Sequence, residues 1–277
     1  MTLQRRFVQQ PVDRTHSRAS HAALTVVAAL AASLLLLFIA APVAGLVVAG
    51  GASGLARLTT DTELRSSLAL TVLTALVATL VGVLGGTPLA WLLARRRFRG
   101  RALVAALIDL PLVIPHPVAG IALLLVLGRG SPAGQTLLHL GLRIVGSPLG
   151  IVCAMVFVAA PLYVSAAREA IARVDARYEA VARTLGDPAW RAFRRITLPL
   201  AGRGLVAAGV VMWARAVSEF GAIVILTYNP KVASVLSYDR FTSYGLDEAL
   251  PVAAVLVLLA LVPLVALRAL RGREEAS

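Results

Sequence analysis

Ile171-Ala-Arg173-Val174-Asp-Ala-Arg177-Tyr178-Glu179-Ala-Val181-Ala182-Arg183-Thr-Leu185-Gly186-Asp187-Pro188-Ala189-Trp190-Arg191-Ala-Phe193-Arg194-Arg195-Ile196-Thr197-Leu198-Pro199 is an arginine-rich stretch set between long apolar runs. Ile171, Val174, Tyr178, Val181 and Leu185 recur at steps of three and four, which is one apolar stripe along an amphipathic helix. Gly186 suits the left-handed residue that closes such a helix. Asp187 can cap a following helix, and Pro188 suits its first position. From Ala189 to about Thr197, Trp190, Phe193 and Ile196 fall on one side, while Arg191, Arg194 and Arg195 fall on another. Leu198-Pro199 is expected to end this second helix. The pattern therefore predicts two short helices meeting at a sharp glycine corner. One reading is a hairpin lying on a membrane with its arginines toward lipid phosphates. The other is a rigid docking element for a partner protein, favoured because capping fixes a shape that lipid binding does not need.

The flanks decide what the corner is attached to. Of the 277 residues 58% are hydrophobic and only 15% charged, where a soluble domain carries about a quarter charged residues. Apolar runs at 22–49, 67–94, 102–127, 149–167, 204–226 and 249–270 are each long enough to cross a bilayer. The expected fold is all-α and polytopic, with six transmembrane helices. A basic arm (1–21) precedes the first run, and a short tail (271–277) follows the sixth. Orientation follows from the basic residues, which accumulate on the cytoplasmic side. With the N-terminus inside, 20 of the 27 lie in 1–21, 95–101, 168–203 and 268–277, six lie outside, and Arg215 sits within the fifth run. Both termini are expected in the cytoplasm, and 168–203 becomes a cytoplasmic loop beneath a cell membrane. The net charge of +13 is mostly this inward bias; it calls for membrane lipid and no nucleic-acid partner.

Several functions are excluded by what is missing. The one cysteine, Cys153, lies in an apolar run, so there is no disulfide framework or cysteine metal site. The one lysine, Lys231, follows Asn229-Pro230, whereas a phosphate-binding loop needs G-x-x-x-x-G-K-[ST]. No nucleotide site, cofactor or metal site is expected in this chain, and it is not expected to be an enzyme. Gly51-Ala-Ser53-Gly54 is a short match to an intramembrane serine protease, but no histidine follows His139 to serve it. A secondary transporter would need intramembrane ionisable groups and internal symmetry. Only Asp109, Arg215 and Glu219 lie well inside runs, with no visible repeat of halves.

Two places inside the apolar runs are irregular. Asp109-Leu-Pro111-Leu-Val-Ile-Pro115-His116-Pro117 puts three prolines in seven residues, which cannot continue as a regular helix. Broken backbone at membrane depth is either packed within protein or faces a water-filled path. In the fifth run Arg215 and Glu219 are four apart, hence on one helical face. A charge facing lipid is costly, so the pair either braces the bundle or lines a path.

On these residues the chain resembles the permeases of binding-protein-dependent ABC importers. Their cytoplasmic signature reads E-A-A, three residues, G, nine residues, I-x-L-P. Here Gly186, Ile196, Leu198 and Pro199 keep that spacing, Ala182 and Arg183 lie in the first half, and the acid, Glu179, stands one residue early. The resemblance spans about 66–270, which makes 22–49 an additional first helix and 168–203 the loop that couples the permease to an ATPase. It implies a type I importer permease fold, a second copy of the chain in a homodimer, two separate ABC ATPase subunits that bind ATP and Mg, and an extracytoplasmic solute-binding protein. Arg215-Ala-Val-Ser218-Glu219-Phe-Gly221-Ala is similar to a run of the oxyanion branch, and Tyr228-Asn-Pro-Lys231 with Tyr238-Asp-Arg-Phe241-Thr-Ser-Tyr244 resembles the molybdate/tungstate permeases, with sulfate or thiosulfate as the alternative. Arg215, Ser218, Glu219, Gly221, Pro115 and His116 are the expected pathway residues. The tyrosines read equally as a membrane-interface belt or as a face for the binding protein.

Overall fold

A computed structural model describes residues 14–272. Most of the expected arm (1–13) and tail (273–277) lies outside the described residues. The elements in order are α1 (Arg14–Thr60), α2 (Thr62–Arg95), α3 (Arg101–Val113), α4 (His116–Leu127), α5 (Pro132–His139), α6 (Pro148–Arg173), α7 (Ala176–Thr184), α8 (Ala189–Ala192), a π-turn (Phe193–Thr197), α9 (Leu198–Val217), α10 (Gly221–Leu226), α11 (Ala233–Tyr244) and α12 (Leu246–Gly272). No strand occurs among the described residues. Among the described residues, five helices are long and apolar enough to span a membrane: α1, α2, α6, α12 and the continuous stretch Ala189–Val217. The sixth candidate is α3 with α4, bent by 116° at Ile114-Pro115.

Small residues bring the central helices together. In α2, Ala75, Ala78, Gly82, Gly86 and Ala90 recur at steps of three and four, all buried. A Cβ on Gly82 would fall 2.1 Å from Met212 Cε of α9, and one on Gly86 would fall 2.8 Å from Tyr163 Cδ1 of α6. Lipid tails are as apolar as leucine, so close backbone approach rather than hydrophobic burial drives such contacts. Polar groups on the same stripe are satisfied internally. Thr71 and Thr74 donate to carbonyls one turn back, each at 2.6 Å, and Thr87 Oγ1 lies 2.6 Å from the buried Tyr163 hydroxyl.

The first helix runs well past 49. Gly50 and Gly54 extend it because they seat against α12: a Cβ on either would meet a backbone oxygen, of Leu250 or Pro251, at 2.5 Å. Arg57 adds an ion pair to Glu248. The helix stops at Thr60, and Asp61 then caps α2 by accepting from Leu64 N at 2.9 Å. Ser53, the residue of the protease-like match, is exposed and donates to the Gly50 carbonyl at 3.1 Å. Leu24, Leu30, Leu34, Leu37 and Phe38 stay exposed on every side of α1 between 24 and 38, as a helix apolar on every side requires lipid or protein around it.

Two expected helices are broken, and a third is unbroken where a stop was expected. The 102–127 run continues through the buried Pro111 and breaks only at Ile114-Pro115, where Pro115 and Pro117 sit at the start of α4 as N-cap and in its first turn. The 204–226 run is two helices. The long one ends at Val217, Ser218 is its C-cap, and α10 starts afresh at Gly221. Leu198-Pro199, expected to end a helix, lies inside one. The π-turn widens the backbone ahead of it, with Leu198 N–H bonding Phe193 O five residues back. Pro199 has no N–H to give and its ring crowds the preceding turn; the wider turn removes both conflicts.

Candidate functional site

The corner at Gly186 is built from the backbone outward. The expected single stripe is split: α6 ends at Arg173, and Asp175 starts α7 by accepting from Arg177 N at 2.9 Å. Ile171 and Val174 consequently belong to the buried core, whereas Tyr178, Val181 and Leu185 are exposed. Ala182 is the buried side of α7 and Arg183 its exposed last turn. Gly186 has φ +98°, with its N–H on Arg183 O (3.1 Å) and the next N–H, of Asp187, on Ala182 O (3.0 Å). Those two bonds form a Schellman motif, the glycine-closed helix end. The expected cap by Asp187 is not formed. Pro188 occupies the N-cap position of α8 with no side-chain cap bond, because Asp187 is one residue too early; its carboxylate instead takes Arg191 Nη1 at 3.3 Å and lies 3.7 Å from Arg195.

Beyond the corner, Trp190 is exposed, and Phe193 is buried edge-on against Trp91 of α2 at 5.8 Å between ring centres. Ile196 is half-buried, Leu198 and Pro199 exposed. Glu179, the displaced acid, is turned inward: its Oε1 accepts from Arg95 Nε at 3.0 Å and from the Thr197 hydroxyl, while Arg95 also donates to the Val174 carbonyl at 2.7 Å. One carboxylate thus ties α7 to the end of α2 and to the π-turn. The sequence reading missed Arg95, because it opens the run Arg95-Arg-Arg-Phe-Arg99 and nothing in that pattern separates it from its solvent-facing neighbours.

The second site lies where the two broken helices meet. Close approach of α4 and α10 depends on two glycines: a Cβ on Gly120 would come 2.8 Å from Ala222 O, and one on Gly221 2.7 Å from His116 Cβ. That seat places His116 beside Arg215 and Glu219. Arg215 Nη2 donates to Glu219 Oε2 at 2.7 Å and lies 2.8 Å from His116 Nδ1 and 2.9 Å from its Nε2; His116 Nδ1 is 3.2 Å from the same Oε2. Glu219 Oε1 accepts from Ala222 N at 2.8 Å, and its main-chain carbonyl accepts from Ser234 Oγ of α11 at 2.7 Å. Glu219 is fully buried, the Arg215 side chain is 19% exposed and that of His116 42%. Ser218 is exposed and returns its hydroxyl to Arg215 O at 3.1 Å; Pro115, also exposed, precedes His116 at the start of α4. Five of the six expected pathway residues are thus linked through contacts around one carboxylate, with Pro115 next in the chain. Arg215 and Glu219 are not on one continuous helix as expected: the acid lies past the C-cap and reaches back. Among the described residues no group of three His, Cys, Asp or Glu could hold a metal.

On the opposite side of the bundle from the corner, α11 is clamped by charge. Arg240 pairs with Asp61 at 2.7 Å, and Lys231 with Asp239 at 2.6 Å; the Tyr228 hydroxyl also donates to Asp239. The hydrogen bond to Asp239 raises the Lys231 pKa above the usual lysine value. Lys231 and Tyr228 together hold Asp239 below the usual carboxylate range. Tyr238, Phe241 and Tyr244 remain exposed beside this clamp.

With a glycine-cornered loop and a multi-span bundle broken at an ion cluster, the chain belongs to the family of binding-protein-dependent transport system inner membrane components, whose model matches residues 86–272. It is a multi-pass membrane protein. It is 45% identical over 173 residues to the molybdate/tungstate transport system permease protein WtpB of Thermococcus kodakarensis, a match covering 62% of this chain and 65% of that one. A probable sulfate transport system permease protein, cysT of Chlorella vulgaris, is 33% identical over 168 residues, covering 59% and 63%. The chain thus matches somewhat less than two thirds of the length of these relatives. In structure it is similar to a bacterial ABC transporter chain involved in import of the acidic polysaccharide alginate, with TM-score 0.70 at 19% identity, covering 95% of this chain and 99% of that one.

Proposed function

We propose that this chain is the membrane-spanning permease subunit of an ATP-driven importer of molybdate or tungstate, working as a homodimer with two ABC ATPase subunits and an extracytoplasmic binding protein. The observation that carries the reading is the cytoplasmic corner. A Schellman-closed turn at Gly186 presents Tyr178, Val181, Leu185 and Trp190 to solvent, while Glu179 and Arg95 bolt its inner face to α2. A hairpin resting on lipid needs neither the bolt nor the fixed turn; a partner groove needs both. ATP and its Mg would be held by the ATPase, since this chain lacks a phosphate-binding loop. The inward excess of arginine supports a cytoplasmic-membrane location with both termini inside. The higher identity to the molybdate/tungstate relative than to the sulfate one supports the substrate, as does the Arg215 cluster. Arginine offers planar, multi-donor hydrogen bonding to an oxyanion.

Purification from native membranes is expected to yield two permeases with two P-loop ATPases. Vesicles carrying that complex and its binding protein should take up tungstate or molybdate only with ATP, with sulfate a weak competitor. A preparation with no ATPase, or with one permease per two ATPases, overturns the assembly; uptake preferring sulfate overturns the substrate.

A further inference from the structure

The ion cluster at the two helix breaks is arranged with its acid behind and its donors in front. Glu219 is sealed from solvent, whereas His116 and, to a lesser degree, Arg215 reach the surface of the chain. A solute arriving from the open side meets the guanidinium and the imidazole before it meets the carboxylate. The guanidinium is also only partly used. Nη2 serves Glu219 and His116, Nη1 makes a long 3.5 Å contact to Ser218 Oγ, and Nε has no hydrogen-bond partner among the described residues. Donor capacity therefore remains on the arginine after its internal contacts are made.

We propose that Arg215 and His116 form a transient contact site for a doubly charged tetrahedral oxyanion, and that Glu219 is its built-in competitor, a carboxylate standing where an anion would otherwise hold the guanidinium. The proposal rests on the oxyanion-importer reading above. A bare arginine in a poorly hydrated path would bind a dianion too well to release it, and conduction needs sites weak enough to leave. Glu219 prevents that in two ways. It occupies Arg215 when the path is empty, and its negative charge stays in place when the anion arrives. It cannot swing aside, because Oε1 caps α10 through Ala222 N and its main-chain carbonyl is held by Ser234. The anion thus borrows donors from Arg215 and His116 beside a fixed like charge that drives it onward.

The same bonds connect the site to the fold. His116 begins α4, Arg215 ends α9, and Glu219 caps α10, so the one contact that links α4 to α9 through the guanidinium is the contact an anion competes for. Occupancy loosens the join between the two broken helices, and departure restores it.

The test uses the reconstituted permease–ATPase complex and tungstate as the probe. Glu219→Gln keeps an acceptor for Ala222 N and removes the charge. Tungstate retained by the variant complex without binding protein, read by equilibrium dialysis, should rise at least tenfold over wild type, while ATP-driven uptake falls several-fold and assembly persists. Arg215→Lys, which keeps the charge but loses the fork, should abolish the retention. If wild type imports tungstate and an assembled Glu219→Gln complex retains no more of it than wild type, the competitor role is overturned and the importer reading stands. If wild type imports no oxyanion, the importer reading itself falls. Should Glu219→Gln fail to assemble, uptake by Arg215→Lys decides: loss of uptake in an assembled complex upholds the anion contact, and the wild-type rate overturns it.

Discussion

Two of the breaks between helices, the corner at Gly186 and the break at Ser218–Phe220, are closed by different means. At Gly186 the backbone closes the turn by itself, through two N–H groups on two carbonyls and a positive φ that glycine adopts at no cost. Its surroundings are open; a Cβ there would meet nothing within 4 Å. At Ser218–Phe220 the backbone alone does not suffice. A buried carboxylate caps the next helix and receives an arginine, and its residue's carbonyl takes a serine from another helix. Water satisfies loose groups at the first site. A buried polar group left without a partner is costly, so the second turn recruits side chains from three elements. An exposed corner can be specified by one residue, whereas a buried one needs a neighbourhood.

The contrast ranks the expected effects of mutation. Glu219→Ala should be the most damaging change in the molecule: it leaves Arg215 without its anion and α10 uncapped. Breaking a buried ion pair costs roughly 3–5 kcal/mol, at the lower end here because Arg215 keeps some exposure. Thermal unfolding of the detergent-solubilised chain should show a large drop, and a melting point near wild type would mean that the break is held by packing alone. Gly186→Val comes next. With free space for its side chain, its penalty is the backbone strain alone, roughly 1–2 kcal/mol for a β-branched residue in left-handed geometry. Membrane insertion should be normal and ATPase association reduced, and Gly186→Asn, which tolerates that geometry, should restore most of it. Equal binding by the valine variant would detach the corner's shape from docking.

A third, milder effect concerns the outer clamp. Asp239 has a lowered pKa, so its contribution is present above the ordinary carboxylate value and is lost as pH falls through the lowered one. Lys231 is raised and stays charged throughout that window. Protection factors of the α11 amides, corrected for the intrinsic pH dependence of exchange, should hold steady from pH 7 to 5 and fall only below about 4; a fall near pH 6 would assign the clamp to other groups. Smallest of all, Asp187→Asn removes exposed pairs to Arg191 and Arg195, each worth about 0.5 kcal/mol or less. ATPase association should barely change, and a marked loss would show that the corner needs its charge as well as its shape.

The fold was legible in the sequence wherever one pattern spoke for one element. Long apolar runs located the spans, the proline cluster located a break, and the glycine-to-L-P spacing located the corner. Errors fell where two patterns overlapped. Tyr178, Val181 and Leu185 continue the period of Ile171 and Val174, so periodicity could not see that Asp175 restarts the helix. Pro199 reads as a stop unless the π-turn ahead of it is known, and a π-turn has no sequence period of its own. The run from Gly204 to Leu226 is interrupted only by Arg215, Ser218 and Glu219, so hydropathy hid the break that they mark. At the ion cluster the chemistry could be named in advance but not the meeting: His116 is 99 residues from Arg215 and joins it only because Gly120 and Gly221 let α4 and α10 touch.

The π-turn has a mechanical consequence. By absorbing Pro199 without a stop, it makes Ala189–Val217 one unbroken body of 29 residues, a rod of ~40 Å at 1.5 Å per residue. Trp190 stands at one end and Arg215 near the other. A tilt of about 5° imposed on the Trp190 end of such a ~40 Å rod carries its far end ~3 Å, roughly the length of a hydrogen bond. The geometry gives the chain a lever whose throw matches the bond it would have to break, with no intermediate joint in which the stroke could be lost.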